Sequence, residues 1–135
     1  MSEIKNLKIR YSDGKTEECS IEIIQQPQWK LIYLGAGLQE QEFAGADLFD
    51  ALVELRKTLE KIGIQLLCAG ARRDVYPSGM SRDMSGGRKA YVTSLGRPAL
   101  RTALLDIFDS ADYELVGSVA EQQMFHEKWV ASLRK

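Results

Sequence analysis

The sequence predicts an α+β fold: an antiparallel or mixed sheet of about five to six strands, packed by two main helices, with a long central loop. Three observations point there. The first 34 residues alternate apolar and polar side chains in short runs separated by turn residues. Residues 47–62 carry one apolar stripe at helical spacing. A second helix signal opens at Ser118.

Leu7, Ile9 and Tyr11 alternate with Lys8 and Arg10, the two-residue period of a half-buried strand. Asp13-Gly14 follows, a strong hairpin signal. Cys19, Ile21 and Ile23 then alternate again, which predicts a second strand antiparallel to the first. Pro27 breaks the pattern, and Trp29 to Leu34 reads as a third strand that Gly35 and Gly37 end or bend. Asp47 is placed to cap the helix, and Asp50 adds an acid to its first turn. Leu48, Leu52, Leu55, Leu59 and Ile62 form the stripe, with Glu54, Arg56, Lys57 and Glu60 expected on the wet side. Gly63 stops the helix. Ile64 to Ala69 is nearly all apolar and reads as a buried central strand.

Gly70 to Tyr91 fits neither period and is expected to be a long loop. Ala90 to Leu95 reads as a strand, and a further strand is placed near 103–108. Ser118-Val119-Ala120-Glu121 has the capping-box pattern of a hydroxyl followed three residues later by an acid. Phe125, Trp129 and Leu133 follow at intervals of four and are expected to face the core.

The bulk numbers narrow the function classes. The 135 residues suit a single domain, 1–135, with 44% apolar and 27% charged residues. A net charge of −1 supplies no global field toward nucleic acid or membrane. The N-terminus has no apolar run of signal length, and no stretch approaches a bilayer span. Cys19 and Cys68 sit in apolar stretches and read as buried free thiols of a reducing compartment. A cytoplasmic protein is the expectation.

Dedicated chemistry finds little purchase. His126, Cys19 and Cys68 lack the paired spacing of a zinc site. Ser78 lies in Tyr-Pro-Ser-Gly, without the first glycine of a nucleophile elbow. Ser85-Gly86-Gly87-Arg88-Lys89 lacks the ending of a P-loop and precedes a strand. Asp47 with Asp50, or Asp106 with Asp109, would serve acid–base work as readily as capping and turns. No catalytic residue, metal or cofactor is assigned, and the chain is read as a non-enzyme.

Charge is distributed unevenly. Gly70 to Tyr91 carries Arg72, Arg73, Arg82, Arg88 and Lys89 against Asp74 and Asp83. Two acidic stretches flank it. One holds Glu40, Glu42, Asp47, Asp50, Glu54 and Glu60 against two cations; the other holds Asp106, Asp109, Asp112, Glu114 and Glu121 against none. An acidic surface suits a basic protein partner by steering its approach.

Several segments carry a resemblance. Gly45-Ala46-Asp47-Leu48-Phe49-Asp50-Ala51-Leu52, Leu67-Cys68-Ala69-Gly70-Ala71-Arg72, Val75-Tyr76-Pro77-Ser78-Gly79-Met80-Ser81, Gly87-Arg88-Lys89-Ala90-Tyr91 and Asp106-Ile107-Phe108 resemble small bacterial immunity proteins. These are the partners of polymorphic toxins of the contact-dependent growth inhibition and Rhs types. The resemblance spans roughly residues 29 to 133 and implies a non-enzymatic protein that binds and neutralises a cognate toxin domain. The expected partner is a basic, nuclease-type domain, met by Asp47, Asp50, Glu54, Asp106, Asp109 and Asp112. Arg72, Arg73, Ser78, Arg82 and Arg88 are then loop anchors. The alternative reading makes them an anion or small-molecule site, possibly enzymatic.

Overall fold

A computed structural model describes residues 2–100 and 103–134. It is α+β, with two antiparallel sheets and three α-helices among these residues. β1 (Ser2–Tyr11) and β2 (Thr16–Ile24) form the hairpin that Asp13-Gly14 announces. β3 (Lys30–Leu34) and β4 (Gln41–Ala44) extend the sheet on one side, and β5 (Ile64–Leu66) closes it on the other. The strand order is β4-β3-β2-β1-β5. Leu7 stands opposite Cys19, Ile21 opposite Tyr33, Ile23 opposite Leu31, and Ile9 opposite Leu66. All eight are buried, so one face of every strand feeds a single core.

α1 (Leu48–Glu60) packs across β3, β4 and β5 with Leu48, Leu52, Leu55 and Leu59 inward. Asp47 caps it, accepting from the Asp50 amide at 2.8 Å. Two expectations about this helix are corrected. Ile62 lies past its end and is 47% exposed, while Arg56 is 2% exposed instead of facing water.

The apolar run after α1 is not a central strand. β5 has three residues at the sheet edge. The chain then leaves through a 3-10 turn (Ala69–Ala71) beneath the second sheet, and it stays apolar because both layers bury it.

The expected long loop is also corrected. Within 70–91 lie β6 (Val75–Tyr76), α2 (Gly79–Ser85) and most of β7 (Lys89–Val92). With β8 (Leu104–Asp106) these strands form a second sheet, β6-β7-β8. Gly86 and Gly87 end α2 with φ of +62° and +76°. A Cβ on Gly87 would lie 2.8 Å from the Asp47 carboxyl, so only glycine lets this backbone reach the α1 cap.

α3 (Val119–Ser132) begins with the full capping box of Ser118 and Glu121. It does not turn an apolar stripe to the core. Phe125 and Trp129 are half-buried, Leu133 is exposed, and the buried residue of the helix is Gln122. The Trp129 indole N–H donates to the Arg97 carbonyl at 2.8 Å, and Ser132 Oγ accepts from the Gly96 amide at 2.7 Å. Among the described residues no helix is long and apolar enough to cross a membrane.

Candidate functional site

The cations of 70–91 are engaged internally. Arg72 forms a bidentate pair with Asp74, both bonds 2.9 Å. Arg73 donates to the carbonyls of Val116 at 3.0 Å and Glu114 at 2.6 Å. Arg82 reaches Asp47 at 2.8 Å and Asp50 at 3.2 Å, and lies over the Phe49 ring. Arg88 holds Glu3 through two bonds and Asp106 through a third at 3.0 Å. Those carboxylates raise the Arg88 pKa, led by Glu3, and Arg88 in turn lowers that of Glu3. Ser78 caps α2, accepting from the Ser81 amide at 3.0 Å. Each of the five loop residues therefore has a partner within the chain.

The same bonds engage half of the acidic set within the chain. Asp47 is buried between the α1 amides and Arg82, and Asp50 shares that guanidinium. Asp106 accepts from Arg88 and from the Phe108 amide, with Lys89 at 4.0 Å. Asp47 and Asp106 are thus paired and largely buried, which leaves a partner little access to their charge, whereas Asp50 keeps an exposed side. Glu54 is exposed but lies 3.8 Å from Lys57.

Asp109 and Asp112 stand differently. They lie in the connection between β8 and α3, exposed, and neither forms an ion pair among the described residues. Glu114 joins them, also exposed. Between and beside these acids sit Tyr113, 50% exposed, and Leu115, 40% exposed. The Arg10 guanidinium lies 4.3 Å from the Tyr113 ring centre and backs it from the sheet. A groove runs from here along the outer face of β1 and β2, lined by Lys8, Glu18, Leu67, Asp112, Tyr113 and Leu115.

The backbone under these side chains is tied down. The Ala69 amide donates to Asp109 O at 2.7 Å, and the Arg73 amide to Leu115 O at 3.0 Å. Gly117 donates to Ala71 O at 3.1 Å, and Cys68 bridges Ser110. The connection thus presents an aromatic residue, an aliphatic one and three acids that form no ion pair among the described residues, on a fixed frame. Rigid aromatic anchors with a charged rim characterise binding surfaces.

The arrangement for chemistry is poor by comparison. Burial pushes the Cys19 thiol up to about 12 and the Cys68 thiol up to about 11, so neither is a thiolate at neutral pH. His126 stacks on Tyr76 at 3.7 Å, and its Nδ1 is buried without a hydrogen-bond partner. No cluster of three or more metal-binding side chains occurs among the described residues.

Tyr113, Leu115, Arg56 and Gln122 escaped the sequence reading. Arg56 was legible: it follows Leu52 by four residues and so shares the buried face. Tyr113 and Leu115 sit in a stretch without period, where nothing local signals exposure. No protein-family model matches this chain, and no curated protein matches it.

Proposed function

We propose that this chain is a binding protein of the immunity kind, which neutralises a cognate toxin domain by covering it in a stoichiometric complex. The observation that carries the proposal is the fixed acidic connection: Asp109, Asp112 and Glu114, without an ion pair among the described residues, around exposed Tyr113 and Leu115. The segment resemblance to toxin-immunity proteins supports the class. The chemistry of the surface supports the partner, a domain with a basic cleft such as a nuclease uses for phosphates. Acids steer the encounter, and the aromatic ring supplies contact area once water is expelled. The binding set is therefore Asp109, Asp112, Glu114, Tyr113 and Leu115. Asp47, Asp50 and Asp106 are left out because they brace the fold through Arg82 and Arg88, and Glu54 because it lies beside Lys57 on α1, away from this connection in sequence.

The test is co-purification with the toxin domain encoded beside its gene, followed by binding kinetics. Reversing Asp109, Asp112 and Glu114 together to lysine is expected to weaken binding about a hundredfold, mainly in the association rate, and to remove its salt dependence. Tyr113→Ala is expected to cost about 2 kcal/mol, mainly in the dissociation rate. Asp50→Asn serves as the control and leaves both rates nearly unchanged. Absence of a complex at micromolar concentration rejects the reading. An undiminished complex with the triple reversal places the interface elsewhere.

A further inference from the structure

β1 is paired along its whole length on one side only. It runs against β2 from Ser2 to Arg10. On the other side β5 covers Ile9 to Tyr11, and one further bond joins the Leu67 amide to Lys8 O at 2.9 Å. From Ser2 to Leu7 no described residue hydrogen-bonds that second edge. Because Lys8 O points to the β5 side, alternation aims the backbone groups of Ser2, Ile4 and Asn6 out of the sheet there. Ile4 is 61% exposed beside them.

An open edge of this kind templates another strand, and proteins usually blunt it with like charges or proline. Here the charges are self-complementary. Glu3 and Lys5 alternate with Ser2, Ile4 and Asn6, and Lys5 forms no ion pair among the described residues. We propose that a second copy of this chain docks on the edge, β1 against β1 in antiparallel register, with Ile4 facing Ile4 of the partner copy on a two-fold axis.

Backbone parity and charge select that register. Outward-aimed residues must oppose one another, so even-numbered positions pair with even. Centring on Ile4 sets Ser2 opposite Asn6 and Glu3 opposite Lys5, twice, by symmetry. Shifting the axis to residue 3 sets Glu3 against Glu3, and shifting it to residue 5 sets Lys5 against Lys5; both are repulsive. Glu3 keeps its two bonds to Arg88 and is 48% exposed, so a facing lysine would join that pair from its solvent side. The pairing is isologous and closes at two copies, joining two five-stranded sheets into one. The seam is short, so the dimer is weak, with a dissociation constant on the order of 100 µM.

Sedimentation of the whole chain, tagged at the C-terminus, tests this from about 1 to about 300 µM. Wild type is expected to pass from monomer to dimer. Glu3→Lys and Lys5→Glu each place like charges across the seam and are expected to weaken dimerisation about tenfold or more. Mixing these two variants restores complementarity, and a heterodimer is expected to form at wild-type strength. Ile4→Pro removes an outward N–H without touching the β2 ladder, and is expected to be monomeric with an unchanged circular dichroism spectrum. A wild type that stays monomeric overturns the proposal. So do larger open-ended assemblies, a dimer indifferent to the charge reversals, and single variants whose mixture fails to associate.

Discussion

Arg56 is a full positive charge placed where water is excluded, and no carboxylate bonds it. Its guanidinium donates instead to Gly70 O at 3.3 Å, Gln122 Oε1 at 2.6 Å and Gly117 O at 3.0 Å. Gln122 Nε2 lies within 2.9 Å of the carbonyls of Gly70, Arg72 and Val75. Its two hydrogens serve at most two of these fully at once. The pair thus satisfies the buried carbonyls where α1, the 3-10 turn and α3 meet. Arg56→Ala is expected to lose about 3 kcal/mol, since it strands buried acceptors, and a urea titration measures this. Combined with Gln122→Ala, the losses are expected to fall short of their sum, because the two side chains share one network. His126 offers a separate handle. Burial lowers its pKa first, with Arg82 acting in the same direction and Glu127 opposing. The unfolded chain therefore takes up a proton near pH 6.5 that the folded chain refuses. Stability is expected to fall as pH drops below that value. His126→Phe, which keeps the stack on Tyr76, is expected to lose less over the same range in thermal melts.

At the scale of elements, caps and contacts divide the work unevenly. α1 has an apolar stripe and an N-cap, and both were legible because they repeat within four residues. α3 has an equally legible capping box but no buried stripe, and single side chains of its own, His126, Trp129 and Ser132, fasten it instead to the Tyr76 ring, the Arg97 carbonyl and the Gly96 amide. Ser118→Ala is therefore expected to cost about 1 kcal/mol and to loosen α3, read by hydrogen exchange of its first turn. Gly87→Ala drives a methyl toward Asp47 and is expected to cost about 1 to 3 kcal/mol in chemical denaturation. α2 was illegible because seven residues bury only Ser81, too little to set a period. β4 was missed for a like reason, since Phe43 alone turns inward. The run from Ile64 misled because continuous apolarity records burial in two layers, not membership of one strand.

Across the whole molecule, the two sheets are joined by bonds between distant residues. Glu3 on β1 meets Arg88 ahead of β7, Asp47 at the α1 cap meets Arg82 on α2, and Gly70 donates to Ile107 O at 2.9 Å. Trp29 packs against Gly86, while Trp129 bonds the chain beyond β7. Such cross-bracing predicts one cooperative unit. Urea unfolding followed by Trp29 in a Trp129→Phe variant, and by Trp129 in a Trp29→Phe variant, is expected to give transitions that coincide with circular dichroism. Separated transitions would mark the second sheet and α3 as an independently opening part.

The amino-acid sequence by itself determined the α+β class, the first hairpin and its inward-facing residues, α1 with its cap, and the start of α3. Each rests on preferences that act over two to four neighbouring residues. Only the tertiary structure decided which charges are spent and which are free. Asp47 and Arg82, or Glu3 and Arg88, find each other across 35 and 85 residues, and no local pattern records such meetings. For that reason three of the six acidic candidates lie against the chain's own arginines and Glu54 lies beside Lys57, while Arg73 of the arginine-rich segment bonds the connection that carries Asp109 and Asp112.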